Sequence, residues 1–113
     1  MRMLRATLFA AALLVGGEAA AQSFEEGLAA YDRGDYGAAL EQWMPLAKQG
    51  EAAAQHNLGS MYDRGEGVPQ DHAEAVRWWR LAAEQGHVKA QFNLGVMHAT
   101  GEGVSQDPAE AVR

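Results

Sequence analysis

Two stretches of this chain, 54–77 and 90–113, agree at 17 of 24 positions without a gap when offset by 36. Chance does not produce agreement of that length. A period between about 20 and 50 residues marks a stacked repeat, in which each unit buries its apolar face on its neighbours. Helical spacing runs through both copies, with glycines and capping residues recurring at fixed places between the apolar positions.

The repeated residues can be quoted in three blocks. They are Ala54-Gln55-x-Asn57-Leu58-Gly59-x-Met61-Tyr62, then Gly65-x-Gly67-Val68-x-Gln70-Asp71, then Ala75-Val76-x-Trp78-Trp79-x-x-Ala82-Ala83-Glu84-Gln85-Gly86. Together they resemble the Sel-one-like repeat (SLR) family, a variant of the tetratricopeptide repeat with a longer loop between its two helices. The resemblance covers residues 51–113, and more loosely 24–50. It implies an all-α fold, a solenoid of α/α helical hairpins forming a tetratricopeptide-like superhelix, and a role in binding other proteins. The expected organisation is a signal peptide at 1–21, a degenerate tetratricopeptide-like helix pair at 22–50, a complete repeat at 51–86, and a second repeat at 87–113 truncated in its second helix.

Taken in order, Ser23 with Glu26 three residues on has the arrangement of a capping box. Phe24, Leu28 and Tyr31 follow at helical spacing and predict a buried stripe. Tyr31-Asp32-Arg33-Gly34 returns at Tyr62-Asp63-Arg64-Gly65, but the first copy runs straight into Asp35, so the first unit lacks the long loop. Asp35 should cap a second helix from Tyr36 to about Gln49. Pro45 lies inside it and predicts a bend near Glu41 to Pro45, because proline removes one backbone hydrogen bond. Gly50 and Gly86 are helix stops, since glycine takes the left-handed conformation after the last turn without steric cost.

The complete repeat should begin with a helix from Ala52 to Arg64 that faces inward with Ala54, Leu58, Met61 and Tyr62. Gly59 in mid-helix costs roughly 1 kcal/mol relative to alanine, which points to close approach of the partner helix. The second helix begins at Asp71, with Glu74 placed to complete the cap, and Asp107-Pro108-Ala109-Glu110 restates that start. A turn of about 100° per residue sets Glu74, Arg77, Arg80 and Glu84 on one stripe, with Trp79 opposite among Ala75, Ala82 and Ala83. Trp78 and Leu81 fall on the flank, where Trp78 is either a seam between repeats or an exposed anchor. The third unit stops one turn into its second helix, as in a fragment of a longer repeat protein or a chain completed by another.

The first 21 residues read differently from the rest. Arg2 and Arg5 precede a short apolar run, Ala6 to Val15, and Ala19-Ala20-Ala21 offers a small-residue cleavage site. The run is shorter than the ~18 residues a membrane span requires, so no stable span remains after cleavage. There is no cysteine, so the lipid-anchored route is excluded, disulfides are absent, and stability rests on helix packing. The remainder, 22–113, carries seven Lys and Arg against 14 acids. That balance, with no basic run, argues against nucleic acid or an anionic membrane as partner. The expected location is periplasmic or secreted.

Catalytic chemistry finds no support in the residue pattern. None of the four histidines lies three or four positions from another, which leaves no expected metal site. Gly65-Glu66-Gly67 and Gly101-Glu102-Gly103 lack the Lys-Ser/Thr of a phosphate loop and read as turns. Ser23, Ser60 and Ser105 have no nucleophile-elbow context. No catalytic residue and no cofactor is expected.

The leading function is therefore a non-enzymatic adaptor of the cell envelope that offers a groove to a protein or peptide. Cysteine-rich relatives suggest a cell-wall or small-ligand binding protein or enzyme of the envelope as an alternative, and an accessory role in polysaccharide or secretion machinery is a third. The candidate surface is the side of the first helices away from their core, which the resemblance places on the concave side of the solenoid. It carries His56, Ser60 and Asp63 in one repeat and Phe92, Val96 and Ala99 one period later, with Trp78 as a further anchor. Phe92 and Val96 either anchor a partner or pack on a continuation of the chain. Export has its own check: intact-mass analysis of the exported protein should give a chain beginning at Gln22, and a membrane-bound species retaining Met1 would contradict it.

Overall fold

Polar side chains cap the starts of four of the five described helices, the one beginning at Ala52 being the exception, and glycines stand at or just beyond their ends. In the computed structural model, which describes residues 22–104, the helices are α1 (Phe24–Asp32), α2 (Tyr36–Lys48), α3 (Ala52–Arg64), α4 (His72–Glu84) and α5 (Val88–Thr100). Ser23 Oγ accepts from the Glu26 N–H, Asp35 Oδ1 from Ala38, Asp71 Oδ1 from Glu74 and His87 Nδ1 from Ala90. Each satisfies a donor that the first helical turn would otherwise leave free. The reciprocal half of each expected capping box does not form. The Ser23 N–H donates to Gln42 Oε1 at 2.8 Å and the Asp71 N–H to the Tyr62 carbonyl at 2.9 Å. Both N–H groups are thereby spent on tertiary acceptors, and the Glu74 carboxylate grips Arg77 instead.

At the other ends, Gly50 and Gly86 adopt φ of +102° and +89°. Glu51 N–H reaches Leu46 O at 3.0 Å and His87 N–H reaches Ala82 O at 3.1 Å, the long bond of a Schellman stop in each case. Helix α2 continues through Pro45 to Lys48. Each helix packs against its neighbours in sequence, α1 on α2, α2 on α3, α3 on α4 and α4 on α5. That succession is an all-α helical solenoid. The expected signal segment and the cap at Asp107 lie outside the described residues.

Within each hairpin the two helices meet at a tryptophan laid on a glycine. A Cβ added to Gly59 would come within 2.6 Å of the Trp79 ring, and one added to Gly27 would collide with Trp43. The indole N–H then reaches the carbonyl three residues before that glycine: Trp79 to His56 O at 3.0 Å, Trp43 to Phe24 O at 3.1 Å. These contacts correct the first helix. Its buried residues are Gly27 and Ala30, while Leu28 is 39 % exposed and Phe24 and Tyr31 are half-buried. The rings of Phe24 and Tyr31 flank Trp43 at 5.7 and 5.8 Å. The tryptophan fills the space beside the glycine, so the large residues of α1 are pushed to either side of it. Packing also shifts the equivalence of the two hairpins. Gly27 and Phe24 correspond to Gly59 and His56, which pairs Ala30 with Tyr62 and breaks the match of Tyr31-Asp32-Arg33-Gly34 with Tyr62-Asp63-Arg64-Gly65.

Between hairpins a glutamine makes the junction. Gln55 is 4 % exposed, and its amide donates to Ala47 O at 3.0 Å. One period later Gln91 donates to Ala83 O at 3.1 Å. The loops add a second junction. At Gly67 an added Cβ would come 2.9 Å from Tyr36 Cβ, and at Gly103 one would come 2.6 Å from His72 O, so each loop lies on the second helix of the repeat before it. Trp78 is buried in this seam, 8 % exposed in a cluster with Trp43, Leu58 and Met61, whereas Leu81 is 42 % exposed. Trp79, turned about 100° away, belongs to the next cluster with Ala75, Val76, Ala82, Ala90 and Met97.

Gly59→Ala gives a sign test of this arrangement. Helix propensity alone favours alanine by about 1 kcal/mol. Overpacking against Trp79 costs typically ~1–3 kcal/mol, more than that gain. The variant should therefore unfold at lower urea concentration than the parent. Trp79→Ala should cost ~3–5 kcal/mol, and Arg77→Ala, on the exposed face, should be nearly silent. A Gly59→Ala protein more stable than the parent would show that the indole does not rest there.

Candidate functional site

Tryptophans and alanines of the second helices, with Leu58, Met61 and Met97 of the first ones, fill the interior, and the remaining sides of α1, α3 and α5 line a shared face. Three hollows run along it, of about 240, 420 and 500 Å³, and His56 lines all of them. The first lies between α1 and α3, with Leu28, Tyr31, Asp32 and Arg64 on its walls. The other two continue to α5, where Val88 and Lys89 line both and Phe92 and Asn93 the larger.

His56 is held from four directions. Its carbonyl accepts from the Trp79 indole and from Ser60 Oγ. Its ring stacks on His87 with centroids 4.7 Å apart. Nδ1 lies 3.0 Å from Asn57 Oδ1 and Nε2 lies 3.3 Å from Asn93 Nδ2. An amide nitrogen donates and an amide oxygen accepts, so this pairing places the proton of the neutral ring on Nδ1. Burial holds the His56 imidazole below its ordinary value; the Asn57 bond opposes that shift, and the charges of His87, Lys89 and Arg64 reinforce it.

Cations gather around this ring. Arg64 donates to the Tyr31 hydroxyl at 3.1 Å, and that hydroxyl donates to Glu66 at 2.7 Å. Burial and the Glu66 bond raise the Tyr31 phenol above its usual value. Arg33 and Arg77 pair with Asp35 and Glu74. By contrast, neither Arg64 nor Lys89 forms an ion pair among the described residues. Beside them Val88 and Phe92 are 74 % and 72 % exposed, and Val96 continues their stripe one turn on.

The expected surface residues are thus divided. His56, Ser60 and Phe92 meet in the largest hollow. Val96 and Ala99 are exposed farther along α5. Asp63 does not join them: its carboxylate is turned to His72 Nδ1 at 2.9 Å, and its carbonyl accepts from Gln70. Trp78 is in the seam, which removes it as an exposed anchor. The sequence reading missed Asn57 and Asn93, Arg64, Lys89 and Val88. The two asparagines were signalled by their exact recurrence at one period, and Val88 by its place one turn before Phe92. Nothing in the pattern marks Lys89. No group of acids and histidines among the described residues is arranged to hold a metal ion, and no described helix is long and apolar enough to cross a membrane.

Comparison with known proteins agrees with this geometry. The Sel1 repeat family model matches residues 52–87 and 88–113. No curated protein matches the chain. Among solved structures, it is similar to a Sel1 repeat protein from Oxalobacter formigenes, with 39 % identity and a TM-score of 0.76, over 80 % of this chain and 37 % of that one. It is also similar to c5321, a protective antigen present in uropathogenic Escherichia coli strains and displaying an SLR fold. There the identity is 38 % and the TM-score 0.74, over 86 % of this chain and 22 % of that one. The chain thus spans less than half the length of either. With two matched repeats and the same helical architecture, the chain belongs to the Sel1 repeat family, whose members are generally non-enzymatic scaffolds for protein interaction.

Proposed function

We propose that this protein is an exported scaffold of the cell envelope whose α1, α3 and α5 face receives a protein or peptide segment. The observation that carries the reading is the pairing of Val88 and Phe92, both largely exposed, with the hollow they share with His56 and Arg64. A large aromatic side chain held out on a rigid helix beside a depression is the kind of residue that dominates binding energy at an interface. Family membership supports the same reading, since Sel1 repeats typically mediate protein interactions. Export rests on the charged start, short apolar run and Ala19-Ala20-Ala21 of the sequence.

Phe92→Ser combined with Val96→Ser tests it. Neither side chain is in the buried core, so the melting curve should move little, within the ±0.5 kcal/mol usual for surface substitutions. Capture of partner from an envelope extract should be lost. Melting that collapses together with capture would assign the pair to packing and refute the reading.

A further inference from the structure

We infer that the groove takes an extended acidic segment, with one carboxylate seated among Arg64, Lys89 and His56 and a nearby apolar side chain on Val88 and Phe92. The inference rests on the function proposed above and specifies its ligand. Charge distribution supplies the argument. The chain carries a net charge of −6, yet its groove holds Arg64 and Lys89 with no acid paired to either among the described residues. The groups facing His56 are Asn57 and Arg64 from α3, His87 at the cap of α5, Lys89 and Asn93 within α5, and Tyr31 and Asp32 across the hollow from α1. Glu66 is occupied by the Tyr31 hydroxyl. A ligand carboxylate meets donors from a guanidinium, an ammonium and two side-chain amides, and hydrogen bonds with ionised partners are the stronger kind. Asn57 and Asn93, one period apart, suit an extended backbone because an amide side chain both donates and accepts.

Proton linkage follows. In the free protein, burial and neighbouring cations keep His56 neutral at pH 7. A carboxylate beside it favours the charged ring, so binding takes up a proton and tightens as pH falls from 7.5 to 5.5. Ligand carboxylates remain ionised over that range.

The test is selection of random dodecapeptides on the immobilised full chain, then calorimetry with each selected peptide and its twin bearing Asn or Gln for Asp or Glu. The acidic peptides should bind about tenfold or more tightly than their twins. Arg64→Gln with Lys89→Gln should erase that difference, and His56→Gln should flatten the pH dependence. Twins that bind as well as the acids, while Phe92→Ser still abolishes binding, would overturn the acidic ligand and leave the groove reading standing. Selection that yields no peptide, or peptides indifferent to Phe92→Ser and to the cation variants alike, would overturn both. A concentration-dependent dimer in sedimentation, dispersed by Phe92→Ser, would give the groove to a second copy and overturn the inference.

Discussion

An indole packed against a glycine sets the spacing of this protein. Trp43 on Gly27 and Trp79 on Gly59 hold each hairpin closer than any side chain larger than hydrogen would permit. The bond from each indole to Phe24 O or His56 O fixes the ring as well as the distance. There is no cysteine to form a disulfide, so the hairpins depend on side-chain packing, in clusters built around these two rings. A buried tryptophan contributes more apolar surface than any other residue type, and here its polar edge is satisfied too.

That arrangement decides which surface is left for function. The second helices spend their large side chains inward, and the seam takes Trp78. The first helices reach inward through Ala54, Leu58, Gly59 and Met61 of α3 and Ala90 and Met97 of α5. Their other sides carry His56, Arg64, Lys89 and Phe92 toward solvent. The groove is thus a by-product of hairpin closure, and His56 belongs to both: its carbonyl is held by the core and its ring stands in the hollow.

Much of this was legible in the residues. The period, the limits of α3, the caps at Asp35 and Asp71, the stops at Gly50 and Gly86 and the close approach at Gly59 each follow from a local signal. The misreadings share one cause. Periodicity reports which residues recur, but not which partner fills the space beside them. Helical spacing thus points Leu28 inward, where Trp43 takes the room, and it aligns the Tyr-Asp-Arg-Gly match one residue out of true. Asp63 looked like a groove residue because its phase is right; His72, from the next helix, turned it away. Lys89 and Arg64 gave no signal, because single exposed cations become a cluster only when folding brings α3 and α5 side by side.

The glutamine junction has a further consequence. At each seam the donor belongs to the later repeat and the acceptor to the earlier one: Gln55 to Ala47, Gln91 to Ala83. The two sides of the seam are therefore different surfaces, and the contact is heterologous, joining head to tail. A contact of that kind has no two-fold axis, and it continues from unit to unit unless its rotation closes a ring. Geometry fixes how one repeat sits on the next; how many are strung together is a property of the gene.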